Sequence, residues 1–203
     1  MRLRSLILIA SFFMASIPAM AQSDDYLQIF TTNYNSSLSI EIDPMAFILK
    51  GHSIHLRYSP MASDHFLVGI GAYALNLPDA IVDLNSHNRD RGWSVRIRSA
   101  YALYAEYFPK TTNDGWFIGE QVGIQSFKLN NNREGTASTS FNTVLAMTYT
   151  GYSWRPRGGS WYLKPWVGVG LTDRIDGINR IGSSRYQVGP IVPFFTLHVG
   201  YTL

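Results

Sequence analysis

From Leu38 to Leu203 the chain is a succession of about eight segments in which apolar residues alternate with small or polar ones, interrupted only by turn-like sequences. A period of two puts alternate residues on opposite faces of a strand, so each segment carries one apolar and one mixed face. The last segment shows it best: Phe195, Leu197, Val199, Tyr201 and Leu203 share one face, and Thr196, His198, Gly200 and Thr202 the other. The mixed faces hold enough charge and glycine to fill a narrow polar lumen. That distribution predicts an all-β fold, an eight-stranded antiparallel up-and-down transmembrane β-barrel with its apolar faces outward.

The N-terminus agrees with export. Arg2 and Arg4 precede an apolar run, Leu6 to Met14, and a small-x-small site at Ala19-Met20-Ala21, the pattern of a secretory signal. Residues 1–21 are read as signal peptide, 22–37 as a polar periplasmic tail and 38–203 as the barrel. No later run approaches the ~18 apolar residues of a membrane-spanning helix. Without the two signal arginines, fifteen basic residues face fourteen acidic ones, a net charge of +1. So slight an excess argues against nucleic acid as a partner. The chain has no cysteine, which excludes disulfides and thiolate chemistry.

Turn residues divide the barrel into strands at about 38–48, 52–58, 66–77, 93–108, 116–129, 139–154, 161–172 and 188–203. Connections after the second, fourth and sixth are compact; those after the third, fifth and seventh are mostly longer. Short periplasmic turns and longer outer loops give that asymmetry, and the tight Leu49-Lys50-Gly51 after the first strand is the exception. Tyr58, Phe66, Tyr107, Trp116, Trp154, Trp161 and Tyr201 gather near the turn-side ends, as an interfacial girdle would.

Alternation turns a polar network into the lumen: Glu41, Asp43, His55, Arg57, Arg96, Arg98, Glu106, Gln121, Lys164 and His198. A three-residue hairpin at Leu49-Lys50-Gly51 sets Asp43 opposite Arg57 and Met45 opposite His55. Buried charges need partners, so a mixed-sign network is expected, and an eight-stranded bore is just wide enough for side chains to plug it. Glu120 breaks the pattern, because strict alternation from Ile118 to Ile124 aims it at lipid; a bulge turning it inward is the expected remedy.

These features resemble the small eight-stranded outer-membrane barrels, the OmpA transmembrane domain and OmpX group, across Leu38 to Leu203. The resemblance implies residence in the outer membrane of a Gram-negative bacterium after cleavage near Ala21. It also implies that the final strand, Phe195 to Leu203, is read by the barrel-assembly machinery, here ending on Leu203 where Phe is usual. The implied function is non-enzymatic, structural or surface-interacting through the outer loops, and no catalytic residue carries over. Two alternatives compete. A lipid A modifying hydrolase would use Ser53 and His55, two apart on one strand with Glu41 or Asp43 nearby, although their order is reversed and they point away from lipid. A soluble lipocalin-like barrel would need the apolar faces inward.

Neither a metal nor another cofactor is expected. Asp83-Leu84-Asn85-Ser86-His87 imitates a calcium loop, but Asn88 and Ser94 stand where it needs Gly and Glu. In the last outer loop, Arg174, Arg180 and Arg185 could hold anionic headgroups, making outer-membrane lipids, lipopolysaccharide among them, the expected partners.

Overall fold

The computed structural model describes residues 36–60, 63–135 and 137–203, so the signal segment and nearly all of the tail read from the sequence lie outside the described residues. Eight antiparallel strands close into one barrel. They are β1 (Ser37–Ile42), β2 (His52–Ser59), β3 (Phe66–Asn76), β4 (Trp93–Tyr107), β5 (Gly115–Asn131), β6 (Ser138–Ser153), β7 (Trp161–Gly177) and β10 (Ile191–Thr202). Two further strands, β8 (Arg180–Ile181) and β9 (Ser184–Arg185), pair as a small hairpin within the β7–β10 loop. β1 closes the barrel on β10 from Ser39↔Thr202 up to Ile42↔Val199.

The outer face is apolar. Ile54, Val68, Ile70, Leu103, Ile118, Ile124, Val167, Val169 and Phe195 are all exposed on it. At the turn end Trp161 meets Tyr201 edge to face at 4.9 Å, and Trp116 meets Tyr152 at 5.4 Å. Closure leaves no edge along most of the wall, so backbone groups are satisfied within the ladder and side chains alone meet the surroundings.

Three expectations are corrected. The first strand stops at Ile42, because Pro44 cannot supply a ladder donor and instead opens a short helix, α1 (Pro44–Ile48). Asp43 caps that helix, its carboxylate accepting from the Met45 N–H at 2.8 Å. The first connection is therefore 43–51 and no tight hairpin, and the register differs from the expected one. Arg57 stands opposite Ser39, and His55 opposite Glu41.

Arg96 and Arg98 do not enter the lumen. β4 carries a bulge between Ile97 and Ser99, opposite unbroken residues of β5, which reverses its inward parity. Below the bulge Ala100, Ala102, Tyr104 and Glu106 are buried; above it Trp93, Val95 and Ile97 are. Arg98 is exposed outside, and Arg96 donates to the Lys50 carbonyl at 3.0 Å and to Asn76 Oδ1 at 2.7 Å. Glu120 has no bulge to turn it: it pairs in register with Ala105 and Thr148 and stays on the outer face, in a shallow depression with Leu103 and Val122.

Inside, large side chains lie across glycines of the neighbouring strand. Tyr162 is the register partner of Gly200, and His55 of Gly71. A Cβ on Gly200 would fall 2.1 Å from the Tyr162 ring, and one on Gly71 would fall 2.2 Å from His55 Nδ1. Gly200→Ala is therefore expected to destabilise the barrel by roughly 1–3 kcal/mol. Gly189→Ala, whose nearest neighbour is 3.5 Å away, is expected to be neutral. Urea unfolding in micelles, read from the heat-dependent gel shift, checks both; equal midpoints would refute this packing account.

Candidate functional site: an ionic plug beneath an apolar chamber

Two residues of each sign meet across the lumen with their side chains fully buried. Glu41 is on β1, Arg57 on β2, Glu106 on β4 and Lys164 on β7, four strands around the ring. Glu41 accepts from Arg57 Nε at 3.1 Å, pairs with Lys164, and contacts His198 Nδ1 through Oε2 at 2.9 Å. Glu106 accepts from Lys164 at 3.0 Å and faces Arg57 Nη1 at 3.4 Å. The hydroxyls of Tyr162 and Tyr149 donate to Glu41 and Glu106, each at 2.8 Å. The Arg57 guanidinium lies 4.0 Å from the Tyr104 ring centroid. Charge is balanced inside the cluster, and each carboxylate bridges both cations.

Aromatic packing backs the plug on its turn side, where Phe108 and Phe117 stack at 5.2 Å and Phe117 meets Tyr149 at 6.0 Å. Above the plug the lumen changes character. Leu75, Ile97, Phe127, Leu145, Met147 and Trp166 help to line a cavity of about 410 Å³. The bulge in β4 is one cause, since it exchanges Arg96 and Arg98 for inward Val95 and Ile97. The side-chain amides of Gln121 and Gln125 lie at its lower wall; Gln125 donates to Tyr73 Oη at 2.8 Å and accepts from Thr143 at 3.2 Å.

The expected lumen residues thus separate into three groups. Glu41, Arg57, Glu106, Lys164 and His198 meet in the plug. His55 and Gln121 border the chamber above it, and buried Asp43 is engaged as the α1 cap. Arg96 and Arg98 are outside. Alternation places Tyr162 inward beside Lys164, whereas Tyr149 was absent from the expected lumen although it falls at an inward position opposite Gly119 and Gly168.

Ser53 Oγ lies 2.6 Å from His55 Nε2 in the chamber floor. This pair lacks an orienting carboxylate: His55 Nδ1 has no hydrogen-bond partner, and Glu41 contacts His198 instead. His55 stacks on His198 at 4.6 Å and joins the plug by packing.

At the loop end, Asn88 donates to the Gln187 carbonyl at 2.8 Å and accepts from the Gln187 N–H at 2.8 Å. The calcium-like sequence is therefore a loop clasp. Glu134 accepts from Ser183 at 3.0 Å and Ser184 at 2.6 Å, and these bonds hold its carboxyl below its ordinary pKa. Arg174 and Arg185 border one surface pocket with Asp173, while Arg180 stands opposite Arg185 across β8–β9.

No protein-family model matches the chain, and no curated protein does. Among solved structures it is similar to the N-terminal β-barrel domain of Pseudomonas aeruginosa OprF, at 11% identity over 82% of this chain and 97% of that one, TM-score 0.41. A major outer membrane protein from Thermus thermophilus aligns at 11% identity over 83% and 100%, TM-score 0.48. Neisserial surface protein A (NspA) aligns at 9% identity over 83% and 94%, TM-score 0.40. By its own closed sheet and side-chain polarity, the chain is an eight-stranded transmembrane β-barrel.

Removing one partner of a buried ion pair strands the other charge, which typically costs about 3–5 kcal/mol, whereas an apolar replacement of both is far milder. Lys164→Met alone should therefore destabilise more than Lys164→Met combined with Glu106→Gln. Equilibrium unfolding of the two variants checks this; an additive double variant would show that the residues do not act as a unit.

Proposed function

We propose that this chain is a non-conducting, non-enzymatic barrel of the outer membrane, acting as a structural and surface-interacting component through its outer loops. The observation that carries the reading is the balanced plug of Glu41, Arg57, Glu106 and Lys164, whose side chains have no solvent exposure. A solute crossing the lumen would have to separate ion pairs held in a low-dielectric interior. The unpartnered Nδ1 of His55 argues against a serine hydrolase. Outward Ile, Leu, Val and Phe argue against a soluble lipocalin-like barrel.

In this reading the signal is cleaved near Ala21, the assembly machinery engages β10, and the loop arginines meet phosphates of lipopolysaccharide. Arg180 and Arg185 support the last point, since like charges on opposed strand positions are unfavourable until an anion lies between them.

Planar-bilayer recordings of the full chain should show no steady conductance, and an open channel of ordinary porin type would overturn the plugged reading. Joint replacement of Arg174, Arg180 and Arg185 by Ala should weaken lipopolysaccharide binding about tenfold, equivalent to ~1.4 kcal/mol, without altering the heat-dependent gel shift. Unchanged affinity would remove the arginines from the proposal.

A further inference from the structure

The wall of the barrel is incomplete beside the chamber. β1 pairs with β10 only up to Ile42↔Val199, and with β2 only up to Glu41↔His55. Above that level β10 pairs with β7 alone, and β2 with β3 alone. The five-residue helix α1 stands where a strand would continue, packing on β10, β2 and β3. Among the described residues no backbone hydrogen bond joins α1 to β10. A helix suits a break in the ladder because its own backbone bonds are internal.

The free edge of β10 lacks one of its donors. The Thr202 N–H bonds toward β7 at Ser160, and that of Leu203 toward β1 at Leu38. Backbone groups alternate between neighbours, and β10 runs in unbroken register with β7, so Pro193 turns its donorless nitrogen to the gap. On the same strand Ile191, Pro193 and Phe195 are exposed outward, and Phe47 and Ile48 are exposed on α1. The break therefore lies among apolar surfaces. The top is bridged by the Asn88–Gln187 clasp.

We propose that the chamber is a binding site for a single linear hydrocarbon chain, admitted sideways between β10 and β2 past α1. Its volume of about 410 Å³ falls in the range of small-molecule sites, about 300–1,000 Å³. Met45, Leu145, Met147, Trp166 and Phe194 give it an apolar lining, and flexible methionines suit a chain of variable shape. The floor selects against an ionic end group, because both carboxylates beneath it already have both cations. The Thr196 hydroxyl is buried on the cavity wall without a hydrogen-bond partner, so a small uncharged polar end would be accepted there. The occupant is the acyl tail of a membrane lipid or a free long-chain alcohol, which share this chemistry.

Trp166, buried on the chamber wall, reports occupancy. The full chain, with Trp93, Trp116, Trp154 and Trp161 replaced by Phe, is reconstituted in phosphatidylcholine vesicles. One arm contains phosphatidylcholine brominated on its acyl chains; the other contains a brominated long-chain alcohol in unlabelled vesicles. Loss of most Trp166 emission in the first arm identifies a lipid tail, and loss in the second a free chain. Leu145→Phe, which fills the cavity, should restore emission while lipid still surrounds the wall. Leu77→Phe serves the same purpose if the first filled variant loses its heat-dependent gel shift. Emission equal in parent and filled variants in both arms would overturn the proposal.

Discussion

An eight-stranded barrel fixes its own bore, and the bore decides nearly everything else about this molecule. Its side chains must fill the space without forcing the strands apart. The chain meets this demand by opposing bulk to glycine across strands: Tyr162 to Gly200, Tyr149 to Gly119 and Gly168, His55 to Gly71 and Arg57 to Gly69. The rings and the guanidinium occupy the space that missing Cβ atoms leave. That freedom brings Glu41, Glu106, Arg57 and Lys164 from four strands into hydrogen-bonding range near the axis. Without the glycines the plug would be too wide for the bore.

The same geometry divides the interior into two solvents. Toward the turns, each cation touches both carboxylates, and the ring faces of Tyr104 and Phe117 cover what hydrogen bonds leave over. Toward the loops, a single extra residue in β4 exchanges the facing of an entire half strand, so valine and isoleucine replace arginine. The bulge thus converts a polar channel lining into an apolar one. The loops above hold one another through Asn88–Gln187 and Glu134–Ser183/Ser184, so the mouth is spanned by side chains bonding to neighbouring loops.

Much of the barrel was legible because alternation is a direct record of two different surroundings. Strand number, the girdle of Trp116, Trp154 and Trp161, and the facing of the final strand all follow from a period of two. What escaped was local and parity-changing. A bulge has no unique residue signature, and Val95-Arg96-Ile97-Arg98 alternates so cleanly that the inward reading of its arginines was natural. Pro44 did carry a visible signal: a proline after Asp43 marks a helix start and ends a strand. Glu120 followed strict alternation, so the expected bulge there was unnecessary. The plug was readable as a set of charges but not as contacts, because pairing depends on the register of β1, which the helix altered.

β1 is the shortest wall strand, and its seam with β10 joins residues from opposite ends of the described chain. Glu41 lies on one side of that seam and His198 on the other. Ser39 and Thr202 also meet across it, with their hydroxyl oxygens 3.1 Å apart. Contacts this distant in sequence carry the largest loop-closure entropy in the fold. Until the ends meet, Glu41 keeps Arg57 on the adjacent β2 but lacks Lys164 and His198, which lie across the seam. The final closure of the sheet therefore also completes the ion cluster, because only then does Glu41 reach Lys164 and His198, and the cluster discriminates a finished barrel from an open one.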